Sequence, residues 1–461
     1  MRRTDNFSQF NRLRDEFPVF SYDAFHYEFT GVSLKITFSF SCSDIRFRPK
    51  TIIPWKPGIF LPYENLSRPA LDNLVFHMGM IELVSYWKAT CSPLVMVLPF
   101  HLTDVQAKFW KKLYYLGLGE FFYTNSIYTD RNSFMELVSE GDPVPPVFSF
   151  NPKEAALVPI GGGKDSALTA GMLNDFKADW LPLVINEREA TRQVIAAAGK
   201  SEEETITVIR EIDPGLLELN SKGFLNGHTP FSAMLAFYSL LIAYLSGRQE
   251  IILSNESSAN EPTIPGTDIN HQYSKSFEFE KDFREYYARS ISPDFNYFSL
   301  LRVFSELQIA GLFWGMPQYF KAFRSCNVGS KTNTWCKVCP KCLFTYIILS
   351  PFLEPEEVEN IFGSNLLDDI DLKSILDELT GQADNKPFEC IGTIEEVNVA
   401  LASTLKKYKD RSLPSLLNYY SSLPVNKYHA SGIIDFVIRM SKDHFVPEKY
   451  LGTPSRLFRY E

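Results

Sequence analysis

Residues 161–166 read Gly-Gly-Gly-Lys-Asp-Ser and follow an apolar segment, 156–160, that predicts a strand. Glycines allow the backbone to approach a ligand closely, and a helix that starts in such a loop directs its N–H groups at anions. The loop therefore predicts a pyrophosphate site formed by Gly161, Gly162, Gly163, Lys164, Asp165 and Ser166. Asp165 would repel a phosphate group unless a divalent cation lay between them, so the loop also predicts Mg²⁺. The spacing of a Walker loop is absent, and an ordinary glycine-rich turn is the alternative.

Four of the seven cysteines fall within 17 residues, namely Cys326, Cys336, Cys339 and Cys342. Four thiolates at this spacing match a closed tetrahedral Zn²⁺ site, and an iron–sulfur cluster is the chemical alternative. Because four protein ligands leave no open position, we expect a structural metal that holds segment 324–345 against the neighbouring domain. The other cysteines stand alone at Cys42, Cys91 and Cys390, which indicates a reducing compartment rather than a disulfide framework.

Three polar segments carry further groups that could do chemistry. Residues 226–230 (NGHTP) precede a predicted helix, and residues 254–257 (SNES) come where a predicted strand ends. Residues 270–280 (NHQYSKSFEFE) are dense in acid–base groups. Ligands collect at the carboxyl edge of a parallel sheet, so we expect these segments to meet there. The structural alternatives are that His228 caps its helix, that Glu256 pairs with a lysine, and that 270–280 is a solvated loop.

The elements that must position these residues alternate between strand and helix from residue 155 onward. This alternation predicts an α/β domain with a parallel sheet and helices on both faces. The predicted strands are 156–160, 180–186, 205–211 and 250–256. Residues 230–246 predict a buried helix, because the segment has no charge but is shorter than the roughly 20 residues that span a membrane.

The first 150 residues predict a separate α+β domain. Segments 25–29 and 34–40 alternate as paired strands do, and residues 72–88 predict a buried helix that Asp72 caps. A strand over 94–100 and a helix from Thr103 to the glycines at 117 and 119 follow. The proline-rich segment 141–152 predicts a linker. We therefore divide the chain into residues 1–150, a nucleotide-binding domain with the cysteine cluster at 151–350, and a helical region at 351–461.

Composition limits the function. The chain has 461 residues, of which 45% are hydrophobic and 14% are aromatic, so it forms large cores. Its formal net charge of −9 argues against a nucleic-acid partner, since such binding needs basic surfaces. The first residues contain charges and no apolar run, which predicts a cytoplasmic protein without a signal peptide or membrane anchor.

The loop at 161–166 resembles the S-G-G-x-D-S loop of the PP-loop ATP pyrophosphatases, with Gly161 in place of the first Ser of that family. The resemblance implies cleavage of ATP between its α and β phosphates and transfer of AMP to an oxygen of the substrate. A similar cysteine cluster follows the PP-loop domain in the 7-cyano-7-deazaguanine synthases. That family has no counterpart of residues 1–150.

A closer resemblance covers about residues 20–350 and, more loosely, the rest of the chain. The motifs SYWKA, GLGEFFY, GGGKDS, NGHTP, SNESS, NHQYSKSFEFE and WCKVCPKC, in this order, are similar to those of the UDP-N-acetylmuramoyl-L-alanyl-L-glutamate epimerases, the MurL family. The resemblance implies ATP-dependent inversion of the terminal L-Glu of UDP-N-acetylmuramoyl-L-Ala-L-Glu in peptidoglycan precursor synthesis, with release of AMP and diphosphate. It also implies a functional link to a ligase that adds L-Glu.

The implied chemistry needs two acid–base groups, because a proton must leave one face of the α carbon and another must arrive on the opposite face. We nominate His271, Lys275 and Glu256, with His228 in reserve. We further expect residues 1–150 to bind the nucleotide sugar through rings such as Trp87 or Phe122. The alternatives are another PP-loop enzyme, a nitrile-forming or sulfur-transferring nucleotide modifier, and a noncatalytic nucleotide sensor.

Overall fold

The computed structural model describes residues 3–424 and 440–451 of the chain. One mixed sheet of 11 strands forms the centre of the molecule. The strands are β1 (Val19–Phe29), β2 (Ser33–Cys42), β3 (Ile45–Phe47), β4 (Lys50–Pro54), β5 (Leu94–Val97), β6 (Glu136–Ser139), β7 (Lys153–Pro159), β8 (Trp180–Ile185), β9 (Ile206–Glu211), β10 (Arg248–Leu253) and β11 (Asn296–Ser299). Their order is β11-β10-β7-β8-β9-β4-β2-β1-β5-β6, and β3 pairs with β2 at the side.

Strands β7 to β11 form the predicted parallel half of the sheet. Their side chains are apolar on both faces, as in β8, where five of six residues are buried, because helices cover both sides of a parallel sheet. The predicted α/β class is therefore confirmed. Strand β10 ends at Leu253, so residues 254–256 leave the sheet instead of completing the predicted strand.

Strands β1 and β2 form the predicted antiparallel hairpin, with Phe29 opposite Leu34 next to the turn. The two halves of the sheet join where β4 pairs with β9 in antiparallel orientation. Residues 141–152, predicted as a linker, contain no helix and no strand. One apolar core nevertheless extends from Phe10 to Tyr297, on both sides of the predicted boundary near residue 150.

A buried polar cluster also joins the two halves. The guanidinium of Arg210 on β9 donates to the Glu82 carboxylate at 2.7 Å, and the Tyr238 hydroxyl donates to the same carboxylate at 2.7 Å. Glu82 lies in helix Arg68–Trp87, within the first 150 residues, whereas Tyr238 lies in helix Phe231–Ser246, which contains no charged residue. A charged group buried in this way is stable only with its partners, so the cluster fixes these two helices against the sheet.

The α-helices of the described residues are Phe7–Glu16, Arg68–Trp87, Asp104–Gly117, Gly119–Thr124, Lys164–Asp175, Glu189–Ala197, Pro214–Ser221, Phe231–Ser246, Phe277–Ser290, Glu306–Trp314, Pro340–Leu349, Pro355–Phe362, Lys373–Thr380, Ile394–Lys407, Ser415–Ser422 and Glu448–Leu451. The helix Arg68–Trp87 begins four residues before Asp72, so the prediction that Asp72 caps it is wrong. Asp72 lies inside the helix and accepts a hydrogen bond from the Tyr27 hydroxyl. The uncharged helix Phe231–Ser246 is buried as predicted. Within residues 3–424 and 440–451, no helix combines the length and apolar character that crossing a membrane requires.

Candidate active site

A cavity of about 360 Å³ opens at the carboxyl ends of β7 and β10. Ligands bind at this edge of open α/β sheets, where loops and helix N-termini converge. Four predicted segments meet there: Gly161, Asp165 and Ser166 of the glycine loop, His228, Ser254 with Asn255, and His271 with Lys275 all line the cavity. The structure therefore assembles groups that lie more than 100 residues apart in the sequence.

The glycine loop has the geometry of an anion site. Helix Lys164–Asp175 starts at Gly163, where no side chain among the described residues caps it, so its first N–H groups are open to a ligand. The Ser166 hydroxyl accepts a hydrogen bond from the Gly162 N–H at 3.2 Å and donates to the Gly163 carbonyl at 3.1 Å. These bonds fix the loop in a curved shape that faces the cavity.

The backbone conformation at position 162, and the neighbouring chain, require a glycine there. Its φ angle is +83°, and a Cβ atom there would lie 2.8 Å from the carbonyl carbon of Ala190. We expect Gly162→Ala to lower the free energy of unfolding by on the order of 2 kcal/mol or more, from backbone strain and overpacking. Chemical denaturation would measure this loss. Gly161→Ala is the matched control, because a Cβ at Gly161 has open space around it, and an equal loss in both variants would contradict the argument.

Lys164, predicted to bind the nucleotide, does not line the cavity. Its side chain is buried and forms ion pairs with Asp165 and Glu306. Burial alone would lower its pKa, but the two carboxylates raise it, so Lys164 stays charged. Its position indicates that it neutralises the acidic groups beneath the loop instead of contacting phosphate directly.

Three carboxylates form a possible cation site under the loop. Ligand oxygens of Asp165, Glu256 and Glu306 all lie within 4.8 Å of one another. Glu256 is 0% exposed, and both of its carboxylate oxygens lack a hydrogen-bond partner among the described residues. An unpaired buried carboxylate is costly, and oxygen ligands suit Mg²⁺, so these residues fit the predicted cation. Glu256 does not line the cavity, which argues against its nomination as an acid–base group.

Two histidines that line the cavity share one carboxylate, that of Glu120. His271 Nδ1 lies 2.5 Å from a Glu120 carboxylate oxygen, and His228 Nδ1 lies 3.5 Å from the same oxygen. Burial lowers the pKa of His271, but hydrogen bonds with Cys390 and Glu120 raise it overall to about 9. For His228, burial and then the charges of His271 and Lys88 lower the pKa to about 3. One ring is thus protonated and the other neutral at pH 7, which is the pattern of a proton donor and a proton acceptor.

Four basic residues also line the cavity, namely Arg188, Lys275, Arg324 and Lys341. The backbone N–H of Arg324 donates to the Gly162 carbonyl at 2.8 Å, which places this arginine beside the glycine loop. Its Nε has no hydrogen-bond partner within the described part of the chain. Burial lowers the pKa of Lys275, but the charges of Cys390, Glu256, Asp165 and Glu306 raise it overall. The cavity therefore suits a polyanion although the whole chain is acidic.

Sequence reasoning missed several of these residues. Glu120 lies within the GLGEFFY motif, but only the fold shows that its carboxylate reaches His271. Cys390 lines the cavity although it lies in the C-terminal region, to which no site residue was assigned. Its only signal in the sequence was its isolation from the cysteine cluster. Lys341 lies within the WCKVCPKC motif, where only the cysteines were singled out, and Glu306 carried no recognisable signal because it belongs to no motif.

The four clustered cysteines come together as predicted. Their Sγ atoms all lie within 4.8 Å of one another, with 3.9 Å between Cys326 and Cys339 and 3.8 Å between Cys336 and Cys342. Zn–S bonds of about 2.3 Å in a tetrahedron place sulfurs roughly 3.8 Å apart, so the group fits a four-coordinate metal. Cys326 also borders the cavity. A metal here would hold the 324–327 wall of the cavity to helix Pro340–Leu349, which Cys339 precedes.

We expect Cys339→Ser to lower both the metal content and the melting temperature, because the binding energy of a structural zinc is folding energy. Metal analysis of the purified protein with thermal unfolding measures both. Cys42→Ser is the control, since Cys42 is buried far from the cluster beside the hydroxyls of Thr90 and Ser92. Iron with visible absorbance, or a wild-type protein without metal, would overturn the zinc assignment.

The aromatic residues proposed to contact the nucleotide sugar have different surroundings. Trp87 is 0% exposed and its Nε1–H donates to the Ser92 carbonyl at 2.9 Å, so its ring cannot stack on a ligand. That prediction is wrong for Trp87, because the helix that carries it is buried on all sides. Phe122 lines a second cavity of about 290 Å³ with Tyr115, Tyr123 and Tyr128. Gly119 borders this second cavity, and its neighbour Glu120 contacts the two histidines that line the first cavity.

The fold and the site together define an α/β protein in which a glycine loop and titratable side chains line one cavity. The chain matches the MurL N-terminal domain over residues 11–300 and the MurL C-terminal domain over residues 321–430. It therefore belongs to the MurL family, which confirms the resemblance and the prediction of an isomerase.

Curated relatives support this membership. A UDP-N-acetyl-alpha-D-muramoyl-L-alanyl-L-glutamate epimerase of Xanthomonas oryzae is 34% identical and aligns with 75% of this chain and 77% of its own length. Proteins of the same name from a Micromonospora species and from Salinispora tropica are each 32% identical. The alignment with the Micromonospora protein covers 84% of this chain and 87% of that protein. The alignment with the Salinispora tropica protein covers 98% of this chain and 95% of that protein. The similarity thus extends over both family domains.

Proposed function

We propose that this protein inverts the terminal L-Glu of UDP-N-acetylmuramoyl-L-Ala-L-Glu to D-Glu with consumption of ATP. The observation that carries the proposal is that an anion-binding glycine loop and the acid–base groups His228, His271 and Lys275 open on the same cavity. The name of the relatives supplies the substrate. The reaction belongs to peptidoglycan precursor synthesis, and hence to cell wall formation and cell shape.

Activation of the glutamate comes first in this proposal. A carboxylate oxygen of the substrate attacks the α phosphorus of ATP, pyrophosphate leaves, and an acyl adenylate forms. The open N–H groups at the start of helix Lys164–Asp175 and the side chain of Arg324 would hold the departing pyrophosphate. A cation held by Asp165, Glu256 and Glu306 would supply electrophilic stabilisation of the phosphates.

Activation makes the α proton removable. Deprotonation beside a carboxylate would place a second negative charge on an anion, whereas an acyl adenylate accepts the charge as an enolate. A base removes the proton from one face and an acid returns one to the other face. His271, Lys275 and His228 lie within reach of a substrate in the cavity, since all three line it. Water then cleaves the mixed anhydride and releases AMP.

The substrate's nucleotide end needs a place outside this cavity. The second cavity offers the rings of Tyr115, Phe122, Tyr123 and Tyr128 and the guanidinium of Arg3. Rings stack on uracil and a guanidinium pairs with diphosphate, so we assign the UDP group to it. This deepens the proposal that residues 1–150 bind the substrate. The substrate is a cytoplasmic precursor, so we place the reaction there, after a ligase that adds L-Glu.

The experiment that tests the function is incubation of the protein with ATP, Mg²⁺ and UDP-N-acetylmuramoyl-L-Ala-L-Glu, followed by chiral analysis of the released glutamate. We expect D-Glu together with stoichiometric AMP and pyrophosphate. Formation of D-Glu without ATP would refute the adenylate mechanism, and absence of D-Glu would refute the function. A deazapurine nitrile or thiolated base from the matching substrates would favour another PP-loop activity. Binding of ATP without pyrophosphate release would favour a sensor.

A further inference from the structure

Cys390 reaches the cavity from the C-terminal region. It lies in the connection between helices Lys373–Thr380 and Ile394–Lys407, and its side chain lines the same cavity as the glycine loop. The connection is held in place by the Gln272 side chain, whose Nε2 donates to the Ile391 carbonyl at 2.9 Å. The backbone N–H of Lys386 also donates to the Thr263 carbonyl at 3.1 Å. Two points of attachment therefore fix Cys390 beside segment 270–275.

The surroundings of Cys390 favour its thiolate form. Burial raises the pKa of the thiol, but the charges of Lys275 and Lys341 and a hydrogen bond with His271 lower it overall to about 5. His271 is in turn fixed by Glu120, at 2.5 Å from its Nδ1. Cys390, His271 and Glu120 thus form a chain in which each group supports the charge of the next. A thiolate of this kind is the reactive form of cysteine.

A second observation, independent of the thiolate, points to a ligand in this part of the cavity. Gln272 is only 4% exposed and borders the cavity, and its Oε1 has no hydrogen-bond partner in residues 3–424 and 440–451. Its Nε2 already donates to the Ile391 carbonyl. The Oε1 atom can therefore still accept a hydrogen bond from a ligand. A buried acceptor without a donor costs free energy, and the peptide N–H of a bound dipeptide is a donor of the right kind.

We propose that Cys390 Sγ is the catalytic base on one face of the substrate's glutamyl α carbon. This inference rests on the proposed epimerase function. The thiolate forms an S–H bond as the α C–H bond breaks, and the electron pair moves into the activated carboxyl group as an enolate. Lys275, which lines the same cavity, donates a proton to the opposite face, and the roles reverse in the backward reaction. His271 is then a positioning residue that holds the thiolate.

Two variants, Cys390→Ala and Cys390→Ser, test the base. We expect each to release pyrophosphate within about threefold of the wild-type rate, while inversion falls by roughly 100-fold or more, the usual contribution of a positioned acid–base group. In D₂O, each variant is expected to exchange the α proton of only one of the two substrates, the L-Glu or the D-Glu dipeptide. A single lost base removes exchange from one face alone. Cys42→Ser, outside the cavity, is the control and keeps both exchanges.

The possible outcomes separate the inference from the function on which it rests. If the wild type does not invert the substrate, the proposed function fails. If the wild type inverts it and both Cys390 variants do so within threefold of its rate, the base assignment alone fails. If the Cys390 variants lose both exchanges and also lose pyrophosphate release, Cys390 has a structural role and the base assignment fails. An acyl group trapped on Cys390 would make it a nucleophile and would likewise overturn the proposal.

The positioning role of His271 has its own readout. Iodoacetamide at pH 6.5 alkylates thiolates, and peptide mass spectrometry identifies the modified cysteine. We expect Cys390 of the wild type to react at this pH and the substrate to protect it. In His271→Asn the thiol loses its hydrogen-bonded partner, so its alkylation at pH 6.5 is expected to slow by tenfold or more relative to the wild type. Equal rates in the two proteins would contradict the thiolate–imidazolium pair.

Discussion

Replacement of Asp165 by Asn is expected to abolish pyrophosphate release, with a loss of several hundredfold or more in rate. Asp165 lines the cavity at the first turn of helix Lys164–Asp175, and its carboxylate lies within 4.8 Å of those of Glu256 and Glu306. Lys164 holds the pKa of Asp165 below its usual value despite burial, so the group is charged when ATP arrives. Loss of one such charge from a phosphate-transfer site costs a few kcal/mol of transition-state stabilisation, on the order of hundreds-fold in rate.

The order of events sharpens this test. Without the adenylate the α proton is not acidic enough to leave, so Asp165→Asn is expected to incorporate no deuterium from D₂O into either substrate. Asp175→Asn, an exposed position at the other end of the same helix, is the matched control. We expect it to keep pyrophosphate release and exchange. Continued exchange by Asp165→Asn in the absence of ATP would show that adenylation is not the activating step.

Replacement of His271 by Asn is expected to have the opposite profile. Pyrophosphate release persists, because no hydrogen bond or ion pair described for this chain joins His271 to residues 161–166, whereas inversion falls by roughly 100-fold or more. The physical reason is the loss of a buried cation: the ring that Glu120 and Cys390 keep protonated, with a pKa of about 9, is replaced by a neutral amide. Parallel assays of pyrophosphate and of D-Glu from the same reaction measure the split.

His26→Asn provides the control for this variant, since His26 is an exposed residue of β1 and does not line the cavity. We expect it to match the wild type in both assays. Equal loss of pyrophosphate release and inversion in His271→Asn would mean that His271 acts on the nucleotide or on folding. Unchanged inversion would remove it from the acid–base machinery.

Much of the fold followed from patterns within short segments. The alternation of apolar strands and helices after residue 155 predicted the parallel half of the sheet, because side-chain periodicity is a local property that can be read within a short segment. The glycine loop and the cysteine spacing were equally local. Helix Arg68–Trp87 shows the limit of this approach. Its apolar stretch was recognised, but its start was placed at Asp72, since a good capping residue inside a helix looks the same in sequence as one at its end.

The continuity of the sheet was not visible in the sequence. Strand β4 pairs with β9, and this pairing depends on 156 residues of intervening chain folding back to bring Ile52 opposite Ile209. Edge strands of two separate sheets and neighbouring strands of one sheet have the same local pattern. The proline-rich segment 141–152 suggested separate units, whereas the shared core shows how closely the two halves are packed.

The sequence by itself determined which groups are available for chemistry: a glycine loop, four cysteines at metal-ligand spacing, and titratable side chains in segments that we expected at one sheet edge. Only the tertiary structure decided which of these groups act together. It turned Lys164 away from the cavity, buried Glu256 beneath it, and brought Glu120 and Cys390 to His271 from positions more than 100 residues away. The physical reason is that charge and pKa depend on burial and on neighbours in space, and packing alone sets both.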